Sequence, residues 1–320
     1  MLRAAESAHL DELQRARVDL LRARVAFAVH RGRDAPALLL RAAERFGPLD
    51  AKLARQTLLD AFVAALFAGR LAGDNGLQRV AEAARLTQPC SLPPTTADYL
   101  LDGLALLITE GQQSGTPLLQ KAVSGFCSED VAGLPRLRWL WLASRVAMAL
   151  WDDQSWDVLS ARHVQLAREA GALSVLSIAL SGRIGFQLAA GRIEAATALH
   201  DESEAMMQVM RSEPLGYPAV TLAAWRGEVK DFASLVQTST QHIERRGEGG
   251  GLTRVEGATA VLYNAVGRYA EAVTVAEQAS CHPDEIGLSG WALPELIEAA
   301  ARNEEPDRAA PALQRLSEAA

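Results

Sequence analysis

The segment GRIEAATALHDESEA, residues 191–205, joins a turn glycine to a predicted helix with paired alanines. Glycine can adopt a positive φ angle and so turn the chain tightly, while alanine is the strongest helix former. The same arrangement recurs every 36 to 42 residues, with its turn residue at Gly32, Gly73, Gly115, Asp152, Gly191, Gly227, Gly267 and Asn303. Each turn is expected to join two helices.

Eight helical hairpins at this spacing indicate a helical-repeat solenoid. A single hairpin cannot bury the apolar faces of both helices, and the next hairpin covers the face that remains exposed. The predicted fold class is therefore all-α, a TPR-like solenoid of helical hairpins. No connection is long enough to separate independent domains, so we predict one domain over residues 1–320. The segment RGEGGG, residues 246–251, is predicted to be a flexible linker between two helices.

The composition excludes several classes of protein. Hydrophobic residues make up 49% of the chain and charged residues 22%, which is typical of a globular protein. The net charge of −7 argues against direct binding to nucleic acid. No segment approaches the roughly 18 uncharged apolar residues of a membrane span. Cys90, Cys127 and Cys281 are scattered, as is typical of reduced thiols, so we expect a cytoplasmic protein.

The sequence contains none of the common catalytic, cofactor-binding or metal-binding motifs. It lacks the GxxxxGK[ST] loop of ATPases, the ligand spacings of zinc sites and the GxSxG turn of hydrolases. The glycine-rich residues 247–251 follow a predicted helix rather than a strand, so we interpret them as an interhelix turn and not a phosphate-binding loop. We therefore expect no enzymatic activity, no cofactor and no metal ion in this chain.

The concave surface of the predicted solenoid is the candidate binding site. In TPR-type hairpins the first helix lines this surface, at positions about 13, 10, 6, 3 and 2 residues before the turn. In this sequence these positions are mostly small or apolar, as in a pocket for a small molecule rather than a clamp for a charged peptide. The predicted groove consists of Trp139, Gly185, Tyr217, Thr221, Trp225, Arg254, Gly257, Val261 and Asn264.

These residues have different expected roles in the groove. Trp139, Tyr217 and Trp225 are predicted to be aromatic anchors, and two glycines leave space. Arg254 and Asn264 are the few polar groups. A tryptophan more often belongs to the core of a repeat, and this alternative stays open for each of them.

Several strings occur in an order that resembles a known family. Among them are LRWLWLASRVAMALWDDQSWDVLSARHVQLAREAGAL (137–173), LAAWRGE (222–228), AVLYNAVGRYAEAV (260–273) and LSGWALPELIEAAAR (288–302). Over nearly the whole chain they resemble the large ATP-binding LuxR-type transcriptional regulators of actinobacteria. The resemblance implies a central helical region between an AAA-type ATPase domain and a LuxR-type helix-turn-helix domain. Neither flank occurs in this sequence, so we expect it to represent the middle, regulatory region.

The position of Gly257 departs from the family. A tryptophan often occupies this position there, whereas this chain reads GATAVLYNAVGRY over residues 257–269. The loss of an inward tryptophan either opens an enlarged ligand pocket or is compensated by repacking of the neighbours. Both alternatives stay open from the sequence.

The functional hypothesis is a sensor region of a LuxR-type regulator. It would bind a small, largely apolar effector or a protein partner and so shift the regulator between a resting and an active state. In a full-length protein the flanking ATPase and helix-turn-helix domains would be partners of this region. The hypothesis is also compatible with an oligomer of the regulator. The alternative is an adaptor scaffold that binds other proteins and has no small-molecule ligand.

Overall fold

The computed structural model describes residues 10–29, 34–73, 76–88, 93–128 and 134–319. These residues form sixteen α-helices and no β-strand, so the predicted all-α helical-repeat solenoid is confirmed. The helices are α1 (Glu12–Val29), α2 (Ala35–Phe46), α3 (Ala51–Ala68), α4 (Gly76–Leu86), α5 (Thr96–Glu110), α6 (Gln112–Ser128), α7 (Leu134–Ala149), α8 (Asp153–Glu169), α9 (Leu173–Ala189), α10 (Ile193–Met210), α11 (Gly216–Trp225), α12 (Phe232–Arg246), α13 (Gly249–Ala265), α14 (Tyr269–Ser280), α15 (Leu293–Arg302) and α16 (Pro306–Ala319).

The described helices follow one another as eight pairs, and most of the predicted turn residues lie between the two helices of a pair. Gly191, Gly227 and Gly267 have φ angles of 71°, 71° and 76°, a region that favours glycine. Asp152 precedes α8, and its side chain accepts a hydrogen bond from the backbone nitrogen of Ser155 at 2.9 Å. An aspartate in this position satisfies an unpaired N–H of the first helical turn. The turn predicted at Gly32 lies outside the described residues.

One predicted turn and the predicted linker differ from the structure in detail. Gly115 lies inside α6, and the chain turns instead at Gly111, where φ is 94°. A Cβ atom on Gly115 would lie only 2.7 Å from the Cα of Leu107, so this glycine serves a close helix–helix approach and not a turn. The predicted linker of residues 246–251 is shorter than expected: the chain turns between two helices at Gly247, where φ is 70°, and Gly249–Ala265 is helical from its first residue. A Cβ on Gly251 would lie 3.0 Å from the ring of Tyr217, so tight packing explains this glycine.

The chain forms two compact units. Unit 1 comprises Met1–Gly125 and Arg246–Gly249, and unit 2 comprises Phe126–Arg245 and Gly250–Ala320. Within each unit consecutive helices pack on one another, and alternate helices also touch, as α3 and α5 do in unit 1 and α9 and α11 in unit 2. This nearest-neighbour pattern is typical of helical repeats. The expectation of one domain over residues 1–320 stays a prediction.

The core of unit 2 is built from one apolar stripe on each helix. Val220 of α11, Ile243 of α12 and Leu262 of α13 are at most 1% exposed and belong to one cluster. Their neighbours at helical spacing, such as Val255 and Ala258, complete it. Burial of such side chains contributes about 1.5–3 kcal/mol each. The stripes therefore hold α11, α12 and α13 together beneath the site described below.

None of the helices in the described ranges has both the length and the apolar character of a membrane-crossing segment. Cys127 and Cys281 carry free thiols. Cys90 falls outside the described residues.

His163 of α8 is a buried titratable group that should make unit 2 sensitive to acid. Its side chain is 4% exposed, and burial lowers its pKa to about 4. The folded state therefore keeps this imidazole neutral, whereas the unfolded chain binds a proton near pH 6.5. Because only the unfolded chain binds this proton, the free energy of unfolding falls by about 3 kcal/mol in total as the pH falls from about 6.5 to about 4.

We expect His163→Leu to flatten this pH dependence. Urea unfolding of both proteins at about pH 7 and about pH 4.5 should show a wild-type loss about 2–3 kcal/mol larger than that of the variant. His200→Leu, on the more exposed surface of α10, is the matched control and should keep the wild-type dependence. Equal losses in wild type and His163→Leu would show that His163 does not cause the loss of stability at acid pH.

Candidate functional site

A cavity of about 260 Å³ opens within unit 2. Ligand pockets commonly have volumes of about 300 Å³ or more. This cavity is slightly smaller, so it suits a small ligand. The lining comes from α7, α8, α9, α11, α13, α15 and the segment before α15, through Met148, Trp151, Trp156, Gly185, Leu188, Ala189, Thr221, Trp225, Thr253, Arg254, Gly257, Ala258, Val261, Gly287, Leu288, Trp291, Ala292, Pro294 and Glu295.

Three tryptophans form a continuous aromatic wall of this cavity. The rings of Trp151 and Trp291 are stacked with 4.6 Å between their centroids, and Trp156 meets Trp291 edge to face at 5.2 Å. The indole nitrogen of Trp291 donates to the carbonyl oxygen of Met148 at 3.1 Å. Such pairs add about 0.5–1.5 kcal/mol beyond the area that they bury. The wall is therefore held in place by ring contacts and by a hydrogen bond to α7.

The position of Trp291 depends on the segment between α14 and α15. Arg145 of α7 donates from Nε to the carbonyl oxygen of Ile286 at 2.5 Å. Gly287 follows with a φ of 70° and leaves no room for a side chain, because a Cβ there would lie 2.9 Å from Cε of Met148. Residues Ser289–Ala292 then form a short 3-10 helix that carries Trp291. A buried arginine and a glycine thus position one side of the cavity.

The electrostatics around the cavity are dominated by two arginines. Arg145 is 6% exposed, and burial, together with the nearby positive charge of Arg254, lowers its pKa to about 9. Burial also lowers the pKa of Arg254 below its ordinary value. Arg145 nevertheless stays protonated at neutral pH, as arginines in proteins generally do. The carboxylate of Glu285 is 2% exposed, and its negative charge favours the protonated form of Arg145. It also accepts a hydrogen bond from the hydroxyl of Thr253.

Arg254 is the positively charged group that reaches the cavity. Its guanidinium carbon lies 5.3 Å from the centre of the Tyr217 ring, and its Nη1 lies 4.0 Å from where a Cβ of Gly185 would be. Gly185 therefore leaves the cavity side of this guanidinium uncovered. Within the described part of the chain Arg254 makes no hydrogen bond and no ion pair.

Glu295 is the acidic residue of the lining. Nδ2 of Asn264 donates to its Oε2 at 2.9 Å and to its backbone oxygen at 3.0 Å. Burial is the largest effect on Glu295 and raises its pKa, although the hydrogen bond from Asn264 opposes this. The hydroxyl of Thr221 donates to the backbone oxygen of Tyr217 at 2.8 Å. These polar groups already have protein partners.

The structure places six of the nine predicted groove residues on the cavity: Gly185, Thr221, Trp225, Arg254, Gly257 and Val261. Trp225 is 37% exposed and therefore lies at its rim. Tyr217 lies behind Arg254, and Asn264 lies behind Glu295. Tyr217 and Asn264 therefore do not line the cavity but contact the residues that do, Arg254 and Glu295.

Trp139 does not line this cavity. It is 8% exposed, and the guanidinium of Arg138 lies 5.1 Å from its ring centre. Met148, at the other end of α7, reaches the cavity. The two residues are separated by about 13 Å along the helix axis, so the first inward position of α7 is too far from the site.

Sequence reasoning missed three of the four tryptophans at the cavity. Trp151 lies in the turn after α7 with a φ of 57°, Trp156 lies on a second helix of a pair, and Trp291 lies in the 3-10 segment. The predicted groove positions were counted back from each turn along the first helix of a hairpin. None of these three tryptophans occupies such a position. The concentration of tryptophans over residues 139–156 was the signal that pointed to this region.

The space in front of Gly257 is open. A Cβ placed on this residue meets no atom within 4 Å, and the residue lines the cavity. Neighbouring side chains have therefore not moved in to fill the space. Of the two alternatives for this position, the geometry favours an open pocket over repacking.

Comparison of the chain with protein-family models, with curated proteins and with solved structures finds no match. Membership of the LuxR-type regulators therefore stays a prediction, and the function is inferred from the cavity. The described residues also contain no group of three or more His, Cys, Asp or Glu side chains that could hold a metal ion.

Proposed function

We propose that unit 2 is the sensor module of a transcriptional regulator of the LuxR type and binds a small, largely apolar effector in the tryptophan-lined cavity. The observation that carries the proposal is the cavity itself, whose lining includes three tryptophans in ring contact and unfilled space at Gly257. Concave, mostly apolar sites with a few placed polar groups are typical of small-molecule binding.

The composition of the lining supports a regulatory role. Residues from Met148 to Glu295 meet at one site, so a bound molecule would touch helices that are distant in sequence. A ligand that contacts α7, α9, α11, α13 and α15 together can stabilise one arrangement of these helices over another. It shifts the regulator only to the extent that its affinity differs between the two states. In a full-length regulator, flanking ATPase and helix-turn-helix domains would receive this shift.

Gly257→Trp should abolish effector binding. The indole would occupy the open space in front of residue 257, and we expect affinity to fall at least about 100-fold, or about 2.8 kcal/mol. Effectors are first found by a thermal-shift screen of sugars, fatty acids and aromatic metabolites, because a ligand at about 100 times its Kd stabilises the folded state by about 2.7 kcal/mol. Affinity is then measured by intrinsic fluorescence, since four tryptophans line the site.

Gly182→Trp is the matched control for this substitution. Gly182 also lies inside a helix, a Cβ on it also meets no atom within 4 Å, and it does not line the cavity. This variant should bind as wild type does, and Gly257→Trp should melt no lower than wild type because it fills empty space. If Gly257→Trp keeps wild-type affinity for every screened effector, the cavity is not the binding site. The adaptor alternative, in which only proteins are bound, would then be favoured.

A further inference from the structure

We infer that the effector is a small carboxylic acid whose carboxylate pairs with Arg254 and whose apolar, ring-containing body lies against the tryptophan wall. The inference rests on the proposed function and specifies the chemical class of the ligand for the same cavity. It is carried by the unpaired guanidinium at the lining together with the aromatic surface beside it.

The first step concerns the charge of Arg254. A half-buried guanidinium loses part of its hydration and normally recovers this cost through an acidic partner or several hydrogen bonds. Arg254 has neither among the residues that the structure describes, and its protein contact is the face of the Tyr217 ring at 5.3 Å. Its N–H groups are therefore available to a ligand. A planar carboxylate is the group that a guanidinium binds best, through two parallel hydrogen bonds.

The second step concerns the other charges near the cavity, which do not serve Arg254. Glu285 is engaged by the hydroxyl of Thr253 and opposes the charge of Arg145. Glu295 accepts a hydrogen bond from Asn264. Arg145 does not line the cavity; its Nε donates to the carbonyl oxygen of Ile286, and its Nη2 is buried without a hydrogen-bond partner. Among the described residues no carboxylate makes an ion pair with Arg254, so its guanidinium can take the anionic group of a ligand.

The third step concerns the body of the ligand. The rings of Trp151 and Trp291 are stacked, and Trp156 meets Trp291 edge to face. A cavity of about 260 Å³ holds the volume of roughly nine water molecules, which corresponds to a body of one or two rings. Flat aromatic groups gain most from such a wall because they can stack on it.

The test compares acids with their neutral isosteres. The probes are indole-3-acetate, 1-naphthoate and phenylacetate, each beside its primary amide, titrated against the full chain by tryptophan fluorescence and by calorimetry. The acids should bind about 10- to 100-fold more tightly than the amides, as expected for a charge-assisted bidentate contact. Equal affinity of acids and amides would overturn the inference while leaving the sensor proposal in place. Binding of neither series would count against both.

Variants of Arg254 supply the second measurement. Arg254→Met should remove the preference for acids, and Arg254→Lys, which keeps the charge but not the fork of donors, should retain only part of it. Arg268→Met is the matched control, because the guanidinium of Arg268 also covers a tyrosine ring, that of Tyr263 at 4.1 Å, away from the cavity. This control should keep the acid preference in full.

A structural role for Arg254 is tested by the melting temperature. If the side chain serves a ligand and not the fold, Arg254→Met should melt within about 2 °C of wild type or above it, since an uncompensated charge is removed. A larger fall, together with an unchanged preference for acids in Arg254→Lys and Arg254→Met, would overturn the inference.

Discussion

Replacing Arg55 with methionine should lower the free energy of unfolding of unit 1 by about 3–5 kcal/mol. Arg55 lies on α3 and is 3% exposed. Its Nε donates to Oδ1 of Asp98 at 2.7 Å, and its Nη2 donates to Oδ1 of Asp102 at 2.8 Å. The variant would leave a buried carboxylate without its cation, and this residual charge accounts for most of the expected loss.

The site around Arg55 explains why the loss should be large. Asp98 is 6% exposed and also closes the capping box of α5, where it accepts from the backbone and hydroxyl of Thr95. Burial by itself lowers the pKa of the Arg55 guanidinium, but the Asp102 and Asp98 carboxylates outweigh it and the net effect is a raised pKa. One arginine thus connects α3 to the first turn of α5.

The measurement is urea unfolding with two probes. All six tryptophans lie in unit 2, so their fluorescence follows unit 2, whereas far-UV circular dichroism follows both units. Arg24→Met is the matched control, since its pair with Asp60 at 3.3 Å is partly exposed and such pairs contribute about 0–1 kcal/mol. The double variant Arg55→Met, Asp98→Asn should regain part of the loss. A loss below about 1 kcal/mol in Arg55→Met would show that the pair does not support the fold.

Gly287→Ala should destabilise unit 2 by about 2–5 kcal/mol and weaken effector binding. Alanine pays about 1–2 kcal/mol for a left-handed backbone, and Gly287 has a φ of 70°. Its Cβ would also lie 2.9 Å from Met148 and 3.0 Å from the backbone oxygen of Arg145. Because a backbone atom cannot move aside easily, this overpacking adds about 1–3 kcal/mol.

Gly290→Ala is a close control in the same segment. Gly290 has no positive φ, and a Cβ on it meets no atom within 4 Å, so its effect should stay within about 0.5 kcal/mol. Tryptophan fluorescence during urea unfolding reports both variants, because Trp291 moves with this segment. If the two substitutions have equal effects, the segment has no fixed position against α7 and the wall that it carries is not preorganised.

The helices, their pairing and six of the nineteen residues that line the cavity could be predicted from local sequence patterns. The turn residues and apolar spacing predicted eight hairpins, which correspond to the sixteen described helices. Helical periodicity also selected Gly185, Trp225, Arg254 and Gly257 as inward positions of first helices. These features could be predicted because turn chemistry and a period of 3.6 residues are local properties of the chain.

Local patterns do not predict which side chains meet at the cavity. Arg145 and Ile286 are 141 residues apart in sequence, and no local pattern indicates that they touch. Their contact brings Trp291 to Trp151, whereas Trp139 lies about 13 Å from Met148 along the axis of α7 and does not reach the cavity. The helical glycines 249–251 and the turn at Gly111 were likewise decided by packing. The physical reason is that helix formation depends on neighbours along the chain, whereas the cavity depends on how distant helices are held against each other.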